Sequence, residues 1–158
     1  KCKNACFLII VVPNMLINTY MKDAYHNAFR GVVQETQEQS GLTLPAHLES
    51  YIVMLLAHHI DNPKFEPTDS FAQRYLDMKK RTDAKTLGDT CLFVVGVFPT
   101  YGKRKGLNTS YYTRIGQGSY SSIRSDLFED LATHFVFLSQ FIQTTVNSSK
   151  QTPSILFR

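Results

Sequence analysis

A chain of 158 residues with 43% hydrophobic and 19% charged side chains is long enough to bury a core and too apolar to be disordered. Its net charge of +4 is spread along the chain, which argues against a dedicated nucleic-acid binder, where cations gather on one face. Three cysteines, Cys2, Cys6 and Cys91, form an odd set without zinc-knuckle spacing. They therefore fit neither a disulfide scaffold nor a metal knuckle and point to a reducing cytoplasm.

The first residues are apolar from Ala5 to Val12 and stop at Pro13. That run is far shorter than the roughly 20 residues a membrane-spanning helix needs. It reads as an extension ahead of a true start at Met15 or Met21, as a buried strand over 6–12 or helix turn, or as a targeting segment. Residues 1–14 are expected to be non-native or flexible.

A helical period follows. Ala24, Ala28 and Val32, with Tyr25, Phe29 and Val33 beside them, predict a helix over Tyr20–Glu38 that stops at Ser40-Gly41. Leu44-Pro45 opens a second helix, because proline suits a first turn. Leu48, Ile52, Leu55 and His59, thickened by Tyr51 and Leu56, form its stripe, and Asp61-Asn62-Pro63 ends it. Asp69 or Ser70 caps a short third helix through Lys80, and Thr82 or Asp83 caps a fourth element reaching Phe98. The second half of that element, 91–98, is apolar and β-branched enough to be a strand, but no turn signal other than Gly88 precedes it, so helix is preferred. Asn108 or Thr109 caps a fifth helix to about Ser122. Asp126 and Glu129 resemble a capping box for a last helix, Leu127–Val146, whose stripe runs Leu127, Leu131, His134, Leu138 and Phe141, widened by Phe128, Phe135 and Ile142. The tail 147–158 is polar and expected to fray. With no repeat and no linker, the reading is a single all-α domain over 1–158, an irregular bundle of five to six helices. The alternative is an α/β fold with strands at 6–12 and 91–98.

A few polar residues fall where the pattern expects apolar ones. His59 and His134 sit on apolar stripes and Asp89 beside Cys91 and Leu92. Tyr112, Gly116 and Tyr120 share one helix face, where the glycine lets another helix approach closely. If Asp89, His59, His134, Tyr112 and Tyr120 converge, they can hold a ligand or a metal, or supply a base. The competing and preferred reading is a buried network that satisfies its own hydrogen bonds. His58 and His59 are adjacent and point about 100° apart on a helix, so they do not chelate together. Nucleophile elbows and phosphate-binding loops are absent. The basic loop Lys103, Arg104 and Lys105, near Tyr101, Tyr111 and Tyr112, can touch phosphates only weakly.

The order Gly88-Asp89-x-x-Leu92-Phe93, then Gly96-x-Phe98-Pro99, then Tyr111-Tyr112 with Gly116 and Tyr120, resembles an uncharacterised bacterial family of all-helical proteins. The resemblance implies a helical bacterial protein with no assigned activity, in which Asp89, Gly96, Tyr112, Gly116 and Tyr120 belong to one packed unit of two consecutive helices. The expectation is a non-catalytic helical interaction or regulatory module, cytoplasmic, with no cofactor or metal and with no membrane span. Its partner is expected to be a protein or a second copy. The alternatives are a small ligand- or metal-binding enzyme on the Asp/His/Tyr cluster, and a weak nucleic-acid binder on the basic loop.

Overall fold

A computed structural model describes residues 18–61, 70–101 and 107–151. Among these the protein is all-helical, with seven helices: α1 (Asn18–Ser40), α2 (Ala46–Asp61), α3 (Phe71–Leu76), α4 (Arg81–Val97), α5 (Thr109–Ser121), α6 (Asp126–Thr133) and α7 (Phe135–Gln151). The stretch 91–98, the candidate strand, lies in α4 up to its last residue, Val97, and Phe98 caps it. The other candidate strand, 6–12, the extension 1–14 and the tail beyond Gln151 lie outside the described residues. No described helix is long and apolar enough to cross a membrane. The chain divides into two compact units, Lys1–Phe65 and Glu66–Arg158.

In the first unit α1 packs on α2. Gly41, in the left-handed region at φ 68°, ends α1, its N–H reaching the Gln37 carbonyl at 3.0 Å. The Gln37 side chain then clamps the turn: its carbonyl accepts the Leu44 N–H at 2.6 Å and its amide donates to Glu49 at 3.1 Å. The inner line of α1 differs in phase from the expected one. Val33 and Thr36 are buried and Tyr25 and Phe29 half-buried, whereas Ala24 and Ala28 face solvent. The larger side chains outcompete alanine for the interior because burial stabilises in proportion to apolar area. On α2 the expected residues Leu48, Tyr51, Ile52, Leu55, Leu56 and His59 are all buried.

The second unit is built around α4, which packs against both α5 and α7. That double coverage explains an unbroken buried run from Leu87 to Gly96, since a helix covered on more than one face needs no polar stripe there. Ser70 caps α3 and accepts the Gln73 N–H at 3.1 Å; Asn108 caps α5 and accepts the Tyr111 N–H at 3.0 Å. The expected third helix ends four residues early. Lys80 adopts extended dihedrals as the first residue outside α4, and Asp83, rather than capping, reaches back to accept the Lys80 N–H at 3.2 Å. The expected single last helix is two, which raises the count from five or six to seven. Asp126 is the first residue of α6 behind the cap Ser125, so Asp126 and Glu129 do not form a capping box. At the break, the Ala132 carbonyl accepts the Gln117 side-chain amide of α5 at 3.1 Å, and His134 closes α6. A side chain intruding on the carbonyl ladder is an established cause of a helix interruption. Beyond it, α7 runs to Gln151, five residues past the expected end at Val146.

The candidate functional site is a closed polar network

The buried polar centre of the second unit forms where α5 crosses α4. Gly88 and Asp89 act there as a pair toward one side chain, Tyr120. A Cβ at Gly88 would lie 2.5 Å from the Tyr120 ring, so only glycine admits the ring against the α4 backbone. One residue on, Asp89 receives the ring's hydroxyl, which donates to Oδ1 at 2.7 Å. The second carboxylate oxygen, Oδ2, pairs with the Lys85 ammonium one turn earlier at 2.5 Å. Tyr120 is fully buried, its ring tilted against Phe128 and Phe135 at centroid distances of 5.8 and 6.1 Å. Asp89 is 8% exposed, so its charge is held inside by an ammonium on one oxygen and a phenol on the other. Gly88, read in sequence as a turn signal, is therefore a mid-helix notch.

Gly116 repeats the device one turn before Tyr120. A Cβ there would meet two Phe135 ring carbons at 2.5 Å and the Cys91 Cβ at 2.9 Å. Gly96 faces Ile142 of α7, whose Cγ2 would lie 2.7 Å from a Cβ at position 96. Cys91 is completely buried, and that burial pushes its thiol well above the ordinary range, with Arg74 opposing weakly. A thiol so placed is a packing residue, not a nucleophile.

Tyr112 belongs to a different group. Two turns before Tyr120 on α5, it is buried with its ring edge-on to Phe71 and Tyr111, each at 5.0 Å, and inclined to Tyr101 at 5.8 Å. Burial raises its phenol, and the neighbouring phenols of Tyr101 and Tyr111 and the Cys91 thiol add to the shift. Tyr111 ties this aromatic group to α3, its hydroxyl accepting the Ala72 N–H at 3.0 Å.

The two histidines do not join Asp89 in one group within either unit. His59 is part of the first unit, buried, with Nδ1 2.9 Å from the Leu55 carbonyl and its ring edge-on to His58. His134 is exposed, its Nδ1 2.9 Å from the Asp130 carbonyl at the α6–α7 break. Of the expected stripe Leu131, Leu138 and Phe141 are buried together with Phe128, Phe135 and Ile142, whereas Leu127 is half-buried and His134 turns to solvent at the α6–α7 break. Lys103, Arg104 and Lys105 lie outside the described residues. Among the described residues no three His, Cys, Asp or Glu side chains are placed to hold a metal.

Sequence reasoning missed Lys85, Gly88 and Gln117. The first two carried a signal: Lys85 and Asp89 stand at the four-residue spacing of a helical ion pair, and a glycine inside a helix implies close packing. Elsewhere the buried hydroxyls close on their own helices: Thr36, Thr90, Ser119 and Thr145 each donate to the carbonyl four residues back. No buried side-chain nitrogen or oxygen among the described residues lacks a hydrogen-bond partner.

Comparison with models of protein families, with curated proteins and with solved structures finds no match.

Proposed function

We propose that this protein is a non-catalytic helical interaction or regulatory module, and that Asp89, Tyr120 and Lys85 hold α4 to α5 rather than act on a substrate. The observation that carries this reading is the closure of the Asp89 carboxylate: Oδ1 takes the Tyr120 hydroxyl and Oδ2 the Lys85 ammonium. A general base or metal ligand needs an oxygen turned toward an open space, and both are engaged with the chain itself. The inert Cys91 and the solvent-facing His134 support the same view. A reducing cytoplasm suits a chain whose described cysteine is a buried free thiol.

The test compares Tyr120→Phe and Asp89→Asn with the native chain by urea unfolding and by elemental analysis. Tyr120→Phe removes a hydrogen bond to a buried charge, which costs about 1.5–3 kcal/mol. The expected result is a lower urea midpoint in both variants and no stoichiometric metal in any of the three proteins. Unchanged midpoints together with a bound metal lost on mutation would overturn the reading.

A further inference from the structure

A cleft of about 270 Å³ opens where the end of α3 meets the first turns of α4, lined by Arg74, Asp77, Met78, Asp83, Thr86 and Leu87. Asp77, Asp83 and Thr86 are exposed, Arg74 and Met78 half-buried and Leu87 buried, so the mouth is polar and the base apolar. The opposite charges share this cleft without meeting. Arg74 forms no hydrogen bond and no ion pair among the described residues. A charge partly withdrawn from water in that way ordinarily has a partner. The two carboxylates are only half engaged. Oδ2 of Asp77 accepts the Gln73 side-chain amide at 2.8 Å, and Oδ2 of Asp83 accepts the Lys80 N–H at 3.2 Å. Oδ1 of each has no partner among the described residues, and neither carboxylate pairs with Lys79, Lys80 or Arg81. Thr86 donates its hydroxyl to the Thr82 carbonyl at 2.9 Å, which leaves its oxygen able to accept.

We propose that this cleft binds a free α-amino acid with a cationic side chain, its carboxylate on Arg74 and its two cationic groups on Asp77 and Asp83. A guanidinium is the side chain best shaped for a carboxylate, which it takes on two parallel N–H bonds. One guanidinium and two carboxylates leave the lining net negative, and a ligand with one carboxylate and two cations balances it. Because Arg74 pairs with neither aspartate, a ligand that bridges them gains its contacts without first breaking an ion pair. Met78 and Leu87 receive the methylenes of the ligand side chain. The volume lies just below the roughly 300–1,000 Å³ of drug-sized sites, which suits one amino acid rather than a peptide. Asp77 caps α3 and Asp83 stands in the first turn of α4, so the bound ligand ties the two helices together. This proposal goes beyond the interaction-module reading, which names no ligand, and does not depend on it.

The test is an NMR titration of the full chain, following backbone amides at constant ionic strength, with L-arginine and with agmatine, the same molecule without its carboxylate. L-arginine is expected to bind one site with a millimolar or tighter dissociation constant and to shift Asp77, Asp83, Thr86 and Leu87 together. Agmatine should bind roughly tenfold more weakly or worse, since it lacks the charge-assisted bonds to Arg74. Arg74→Gln should weaken L-arginine by a similar factor and leave agmatine unchanged, because the contact it removes is to the carboxylate alone. Asp77→Asn should weaken both ligands, and so should Asp83→Asn. Far-ultraviolet circular dichroism checks that each variant is folded. No shift with L-arginine, shifts confined to residues away from the cleft, agmatine binding as tightly as L-arginine, or a folded Arg74→Gln chain that loses both ligands alike each overturns the proposal. The comparison of the two ligands on the native chain needs no variant, so it decides even where a substitution unfolds the protein. The urea test on Asp89 and Tyr120 involves neither ligand and stands or falls by itself.

Discussion

Replacing Gly116 by alanine tests the account of how α4, α5 and α7 fit together, because helix propensity and packing predict opposite signs. By propensity alone, a mid-helix glycine changed to alanine gains about 1 kcal/mol. Against this, the new methyl would lie 2.5 Å from two Phe135 ring carbons and 2.9 Å from the Cys91 Cβ, where carbon atoms rest at roughly 3.5–4.0 Å. Phe135 is completely buried and Cys91 approaches from another helix, so neither side can yield without moving its neighbours. Overpacking of this kind costs about 1–3 kcal/mol, and contact on two sides puts Gly116 at the upper end. The net expectation is a loss of about 2 kcal/mol, or roughly 4–8 °C in the melting temperature for a chain of this length. Gly31 provides the control: it is exposed on α1 and a Cβ there would meet nothing within 4 Å. Gly31→Ala should therefore stabilise by up to about 1 kcal/mol. Both are measured by urea and thermal unfolding followed by circular dichroism. Equal signs for the two variants, or a Gly116→Ala protein as stable as the native chain, would refute the packing argument.

Three further outcomes are expected. Tyr112 has its phenol raised by burial, so the folded state holds that proton more tightly than the unfolded chain; its contribution is complete below pH about 10 and is lost as pH rises through the folded value. Unfolding free energies measured above pH 10 should fall less steeply in Tyr112→Phe than in the native chain. Cys91 should resist iodoacetamide at pH 8.5 in the folded protein and react within minutes in urea, as read by mass spectrometry of its peptide; ready modification of folded protein would contradict its burial. Arg124 occupies the left-handed region at φ 50° in the turn between α5 and α6, a conformation costing a non-glycine residue about 1 kcal/mol. Arg124→Gly should raise the urea midpoint slightly, by some tenths of a kcal/mol once the greater freedom of the unfolded glycine chain is subtracted.

Much of the architecture was legible because local chemistry marks it. Ser70, Asn108 and Gly41 sit at helix ends for reasons their own side chains or backbone supply, and Pro99 follows the end of α4. The errors arose where distant residues decide. Along the last two helices periodicity places Leu131, Leu138, Phe141, Phe128, Phe135 and Ile142 correctly, but it carries His134 inward because a continuous period has no means of showing the break at which that residue caps α6. The interruption at His134 involves the Gln117 amide, contributed by another helix. Lys80 is a poor cap by type, and only the reach of Asp83 to its N–H shows why α4 starts there. For the polar site, Asp89 and Tyr120 were each singled out, but their union across 31 positions is a property of how α4 and α5 cross. His59 and His134 looked equivalent to Asp89 by position alone, although each meets a carbonyl of its own helical stretch.

The three glycine notches also govern which motions the second unit allows. Sliding α5 by one helical turn, about 5.4 Å, would carry the Tyr120 ring from Gly88 onto Ala84 or Leu92, where a side chain already fills the space. A one-turn slide of α7 would likewise take Ile142 from Gly96 onto Leu92, or past the end of α4 at Val97. The glycines thus fix the register of α5 and α7 along α4, because a one-turn ratchet of either helix would set a ring or a branched side chain against a position that has no notch.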